Sequence, residues 1–173
     1  MKKLFNHIFI DGLSGMAQGL FATLIIGTII QQIGGFIGGN VGALVVAISK
    51  VAAALTGAGI GVGVAYKYKA SQLVTVSAAV AGLIGAFASK LVAGTVFVEG
   101  TIILAGPGEP LGAFLAAFAG IELGRLVSGK TKIDILVTPL VTIFVGVTLS
   151  ALWENSANSL GFTDLFQSND IGC

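Results

Sequence analysis

From Leu13 to Ile33 the chain reads LSGMAQGLFATLIIGTIIQQI, a stretch without a charged side chain. A bilayer hydrocarbon core of about 30 Å needs about 20 apolar residues in a helix rising 1.5 Å each, so this stretch is long enough to cross. Four further segments have the same character: Val41 to Ala65, Leu73 to Val96, Leu111 to Val127 and Ile135 to Trp153. The whole chain agrees with them. Of its 173 residues, 55% are hydrophobic and only 10% charged, with a mean hydropathy of +0.99. A soluble domain carries about 25% charged residues to wet its surface. The sequence therefore predicts an all-α integral membrane protein with about five transmembrane helices. Residues 1–153 form one transmembrane domain, and 154–173 a polar C-terminal tail. The 26 glycines, interleaved with Val, Ile, Leu, Ala and Phe, fit closely packed membrane helices, where small residues let backbones approach.

Charge placement tests the spans independently. Lys2 and Lys3 precede the first segment, and Lys67 and Lys69 lie between the second and third. Arg125, Lys130 and Lys132 lie between the fourth and fifth. The connection from Gly34 to Asn40 has no charge, and the one between the third and fourth segments has only Glu99 and Glu109. Seven of the nine basic residues thus fall on one side. The positive-inside rule makes that side the cytoplasm, with the N-terminus inside and the C-terminal tail outside a bacterial cell membrane. A cleaved signal peptide does not fit the N-terminus, because no small-residue cleavage site closes a short apolar region. A net charge of +1 gives no basic field for nucleic acid. The single cysteine, Cys173, excludes an internal disulfide and a cysteine-based metal site, and nothing in the sequence calls for a cofactor.

The segment from Gly100 to Gly108 is apolar but too short to span. Non-helical backbone at membrane depth needs protein or a water-filled cavity around it. Two readings stand: a re-entrant hairpin entering from outside between the third and fourth helices, or a loop on the membrane surface. The alternating glycines from Gly57 to Gly63 lack the strand, helix and acidic residue of a dinucleotide fingerprint, so helix packing is the better reading. The pairs Gly15/Gly19, Gly38/Gly42 and Gly120/Gly124 point to close helix crossings.

Charges and polar groups within spans mark candidate solute positions. A charge at the bilayer centre costs about 2.5–3.5 kcal/mol on the insertion scale, so Lys50 near the middle of the second segment and Lys90 in the third each need a partner, a cavity or a snorkelling route. Asp11, Ser14 and Gln18 share one helix face, which is either an inward polar stripe or, for Asp11, an exposed helix start. Glu122 and Arg125 are spaced as a local ion pair, and His7 stands alone near the interface. In Gly106-Pro-Gly-Glu-Pro110, Pro110 suits the first position of the fourth helix. Glu109 before it is either a cap for that helix or a carboxylate accepting hydrogen bonds from the hydroxyls of a sugar.

Three stretches carry a resemblance: Phe9-Ile-Asp-Gly-Leu-Ser-Gly-Met-Ala17, Ala65-Tyr-Lys-Tyr-Lys-Ala70 and Gly106-Pro-Gly-Glu-Pro110. Over about residues 4–150 the chain resembles a bacterial family of IIC-type membrane components of the sugar phosphotransferase system, which includes the perfringolysin O regulator-like proteins. Related permeases carry a Gly-x-Thr-Glu-Pro turn whose glutamate binds sugar. Gly106, Glu109 and Pro110 match it, while Gly108 replaces the threonine and the motif comes earlier in the chain. The resemblance implies a permease-like subunit, not an enzyme, that binds and translocates a small polar solute such as a sugar. Phosphate would be carried by separate cytoplasmic phosphotransferase components. A membrane-embedded regulatory or scaffold protein is the alternative. Family members are nearly twice as long, so the resemblance further implies a truncated N-terminal half, or a half-length form that works as a homo-oligomer or with another subunit.

Overall fold

The computed structural model describes residues 10–98, 101–102, 104, 106–130 and 133–159. Lys2, Lys3, His7, Glu99, Lys132 and the end of the chain from residue 160 to Cys173 lie outside them. The elements in chain order are α1 (Leu13–Leu20), a π-helical segment (Phe21–Ile25), α2 (Ile26–Ile37), α3 (Gly39–Ala54), α4 (Thr56–Lys67), α5 (Gln72–Ala86), α6 (Ala88–Val92), β1 (Phe97–Val98), β2 (Thr101–Ile102), α7 (Pro110–Val127) and α8 (Asp134–Ser159).

All five apolar segments fall on helices, but the expected five spans reduce to three, or four if a bent pair counts as one, because length and straightness fail in the other segments. Three helices are long and apolar enough to span without a break: Ile10–Ile37, Pro110–Val127 and the Asp134–Trp153 portion of α8. The second segment is a bent pair, because α3 and α4 meet at Leu55 at 49°, and the two are long enough to cross only when counted together. The third is shorter than its apolar run. α5 stops at Ala86, Phe87 leaves helical geometry, and α6 adds one more turn. The connection expected between Gly34 and Asn40 shrinks to Gly38, whose φ of +63° turns the chain directly into α3. Gly38 therefore does not pair with Gly42 in a helix crossing. It faces open space, and Gly42 packs against Gly34 instead.

Local chemistry sets the other helix ends. Ser71 caps α5, its Oγ accepting from the Val74 N–H at 3.4 Å. Asp134 opens α8, its Oδ1 accepting from the Gly129 N–H at 3.0 Å and the Thr138 hydroxyl at 2.6 Å. Between α6 and α7, β1 and β2 pair antiparallel, with Phe97 opposite Ile102, so the chain between the third and fourth helices doubles back in a short hairpin.

α4, α5 and α7 surround the core, which includes Ile60, Val64, Val74, Phe87, Phe114 and Ile121. α1 packs on α4, and α8 closes the bundle against α7 and α5. α2 and α3 pack chiefly on each other, leaving Ile29, Ile33, Phe36, Leu44 and Ile48 exposed along that pair. Such a surface is costly in water and suits lipid or another apolar surface. Helices meet here backbone to backbone. A Cβ on Gly15 would lie 2.6 Å from the Gly63 carbonyl oxygen, and one on Gly57 2.5 Å from that of Gly82. Lipid tails are as apolar as the helices, so close van der Waals contact through small residues, rather than apolar burial, holds such helices together.

The two basic turns lie at one end of the bundle. The Ser71 and Ser128 hydroxyls, in the α4–α5 and α7–α8 connections, are 3.2 Å apart. Helix 1 begins at that end as well, with Gly12 against the Tyr68 hydroxyl.

Candidate functional site

Pro110 is the first residue of α7, where its missing N–H costs nothing and its fixed φ already fits a helix. The turn before it uses two left-handed glycines, Gly106 at φ +81° and Gly108 at φ +68°. Gly108 is doubly required, because a Cβ there would also come within 2.5 Å of the Ala86 carbonyl oxygen. That oxygen ends α5 and would otherwise lack an intrahelical partner. The Glu109 N–H supplies one, donating to it at 2.7 Å. The turn is thereby fastened to the end of α5, while the Glu109 side chain makes no capping hydrogen bond and is exposed. Of the two roles for Glu109 drawn from the sequence, capping is not the one its carboxylate performs.

Ala86 is a meeting point of three helix ends. Gly57, in the first turn of α4, would place a Cβ 2.7 Å from the Ala86 Cβ. Gly85 packs against Gly112 in the first turn of α7, where a Cβ would lie 2.7 Å from the Gly112 carbonyl oxygen. At the break itself Thr56 is fully buried, and its hydroxyl donates to the Ala53 carbonyl at 2.6 Å. Beyond Ala86, Phe87 is fully buried and the Lys90 Nζ stands 5.6 Å from its ring centroid, within cation–π range. The junction therefore combines two helix N-termini, one helix C-terminus, an exposed carboxylate and an ammonium held on a buried ring.

Among the residues singled out from the sequence, the structure gathers Gly106, Glu109 and Pro110 here, with Lys90 one turn away. It does not bring Lys50, Asp11 or Gln18 to the same place. Lys50 is exposed on α3, next to the buried Ser49. Asp11 and Gln18 are exposed, and the face of helix 1 that packs inward is the neighbouring glycine row Gly12, Gly15 and Gly19. Sequence reasoning missed Ala86, Phe87 and Thr56, because nothing local distinguishes that alanine from the others in α5. Among the described residues no three His, Cys, Asp or Glu side chains cluster to hold a metal ion.

Over residues 10–160 the sequence matches the family model described as Phosphotransferase system, EIIC. The chain belongs to that family. No curated protein and no solved structure matches it. As an EIIC protein it is a membrane-embedded component of the transport type, which agrees with its apolar helices and their exposed apolar faces.

The EIIC chain has a second polar corner at its basic end. Tyr68, in the turn after α4, is buried with its ring edge-on to Phe118 at 6.1 Å, and Phe118 stacks on Phe114. Burial, with the charges of Glu122 and Asp11 adding to it, pushes the Tyr68 phenol up to about 12. The Glu122–Arg125 pair expected from its spacing is present at 3.8 Å on a half-exposed face. An exposed pair of that kind contributes little to stability.

Proposed function

We propose that this EIIC protein binds a small polar solute, a sugar, at the junction around Ala86 and moves it across the membrane, with Glu109 accepting hydrogen bonds from sugar hydroxyls. One observation carries the reading: the Glu109 backbone is pinned by a 2.7 Å hydrogen bond while its carboxylate, without a capping bond, is left to act elsewhere. Helices interrupted near one another are a geometry that transporters use for solute sites, since their irregular backbone lines a cavity instead of lipid. Gly106 and Pro110 shape the turn, and Lys90, on the Phe87 ring just past the end of α5, supplies a cation to the same junction. The segment leading into the turn is then a re-entrant hairpin, and the phosphoryl group reaches the solute on separate cytoplasmic proteins.

The test is a ligand-induced thermal shift of the purified protein against a panel of sugars, repeated with Glu109→Gln. Losing a charged hydrogen bond to a desolvated hydroxyl costs about 1.5–3 kcal/mol, so the variant should bind roughly tenfold to a hundredfold more weakly. Equal binding by parent and variant would remove Glu109 from the site. If no sugar shifts a well-folded parent, the transport reading yields to a regulatory one, in line with the resemblance to regulator-like proteins.

A further inference from the structure

The turn joining α4 to α5 carries a groove of about 830 Å³ that the solute site does not use. Its lining combines two cations, Lys67 and Lys69, with the Tyr66 ring, Ala70, Val76 and the polar Gln72 and Thr75, and no acidic side chain among the described residues is part of it. The shape of the surface continues this division. One helical turn farther from the lysines, Val62 on α4 and Val80 on α5 are also exposed, so an apolar track leads from the basic end along the span. Tyr66, 77% exposed, stands between the two regions with an apolar ring and a polar tip, the chemistry favoured at a membrane interface. The neighbouring groove of about 500 Å³ has Asp134 in its wall, but that carboxylate is already engaged by Gly129 and Thr138.

We infer that this groove binds an anionic phospholipid, its phosphate between Lys67 and Lys69 and its acyl chain along Tyr66, Val76 and Val80. A free phosphate or a soluble acidic partner would meet the lysines but leave the apolar track empty. A zwitterionic lipid would fill the track without charge complementarity. Only an anionic amphiphile matches both halves.

A single-tryptophan reporter tests this: Tyr66→Trp in a Trp153→Phe background, in nanodiscs of phosphatidylcholine doped with brominated-chain phosphatidylglycerol or brominated-chain phosphatidylcholine. The brominated phosphatidylglycerol should quench the reporter at a much lower mole fraction, by about fivefold for each lysine, which is about 1 kcal/mol apiece. Lys67→Gln with Lys69→Gln should abolish the difference, Lys67→Arg with Lys69→Arg should keep it, and Lys130→Gln should leave it unchanged. Equal quenching by both lipids overturns the inference, as does a preference that survives the double glutamine variant. A preference lost equally with Lys130→Gln also overturns it, by showing diffuse surface charge. Groove occupancy by a soluble acidic peptide without headgroup preference overturns it in favour of a protein partner.

Discussion

At the scale of single residues, packing separates glycines that look alike in the sequence. A Cβ on Gly61 would run into the Ala78 carbonyl oxygen, and both sides of that contact are backbone. Gly61→Ala should therefore destabilise the protein by about 1–3 kcal/mol, the range for overpacking, seen as a lower melting temperature in detergent. Gly35 has nothing within 4 Å, so Gly35→Ala should be neutral or stabilise by up to about 1 kcal/mol. Equal losses at both positions would refute the backbone-to-backbone seam. Tyr68 gives a second measurement. Its neutral form is favoured in the fold, so stability is intact below the ordinary phenol value near 10 and falls as pH rises from there toward about 12. The chain has two tyrosines, so Tyr66→Phe leaves Tyr68 alone for a spectrophotometric titration. A midpoint near 12 is expected, and one near 10 would mean that water reaches the ring. The sequence shows that Gly106-Pro-Gly-Glu-Pro110 is a turn, since glycine and proline act on their own backbone. It does not show that Glu109 skips its cap, because that follows from Ala86, a partner more than twenty positions away.

At the scale of elements, the breaks at Leu55 and Phe87 form the junction proposed as the site, and neither coincides with a proline or glycine. Hydropathy sees only length and composition, so the second and third spans read as continuous helices. Their interruption depends on which neighbours accept the freed backbone groups. Thr56 supplies a donor within the break, since its buried hydroxyl donates to the Ala53 carbonyl. Thr56→Val keeps the shape and removes that donor, so it should cost on the order of 1 kcal/mol, while Thr56→Ser should restore it. Melting curves of the two variants should then differ, and identical curves would show that the bend stands without the hydroxyl.

For the whole molecule, the all-helical apolar character and the side on which the cations gather were legible because they rest on local composition, whereas the expected five spans come down to three unbroken ones, or four with the bent pair counted as one. The contact between Ser71 and Ser128 bears out the second point for the described turns. Which side faces the cytoplasm is checked by labelling. In a Cys173→Ser background, Lys69→Cys and Lys130→Cys should react with an impermeant reagent only in opened cells, and Gly35→Cys in intact ones. Labelling of Lys130→Cys from outside would invert the arrangement. The pairing of the first two spans has a consequence for how the protein is made. α2 meets α3 across the single residue Gly38, and α1 meets α4, the next helix along. As the chain emerges, the partners of α2 and then of α1, the two halves of the Ile10–Ile37 helix, appear in turn, nearest first, so the two spans can close like a zip from their shared tip. α5 then arrives against α4, already in place. Up to α5 each docking step uses a surface synthesised just before it; the inner faces of α4 and α5 are completed only when α7 and α8 arrive.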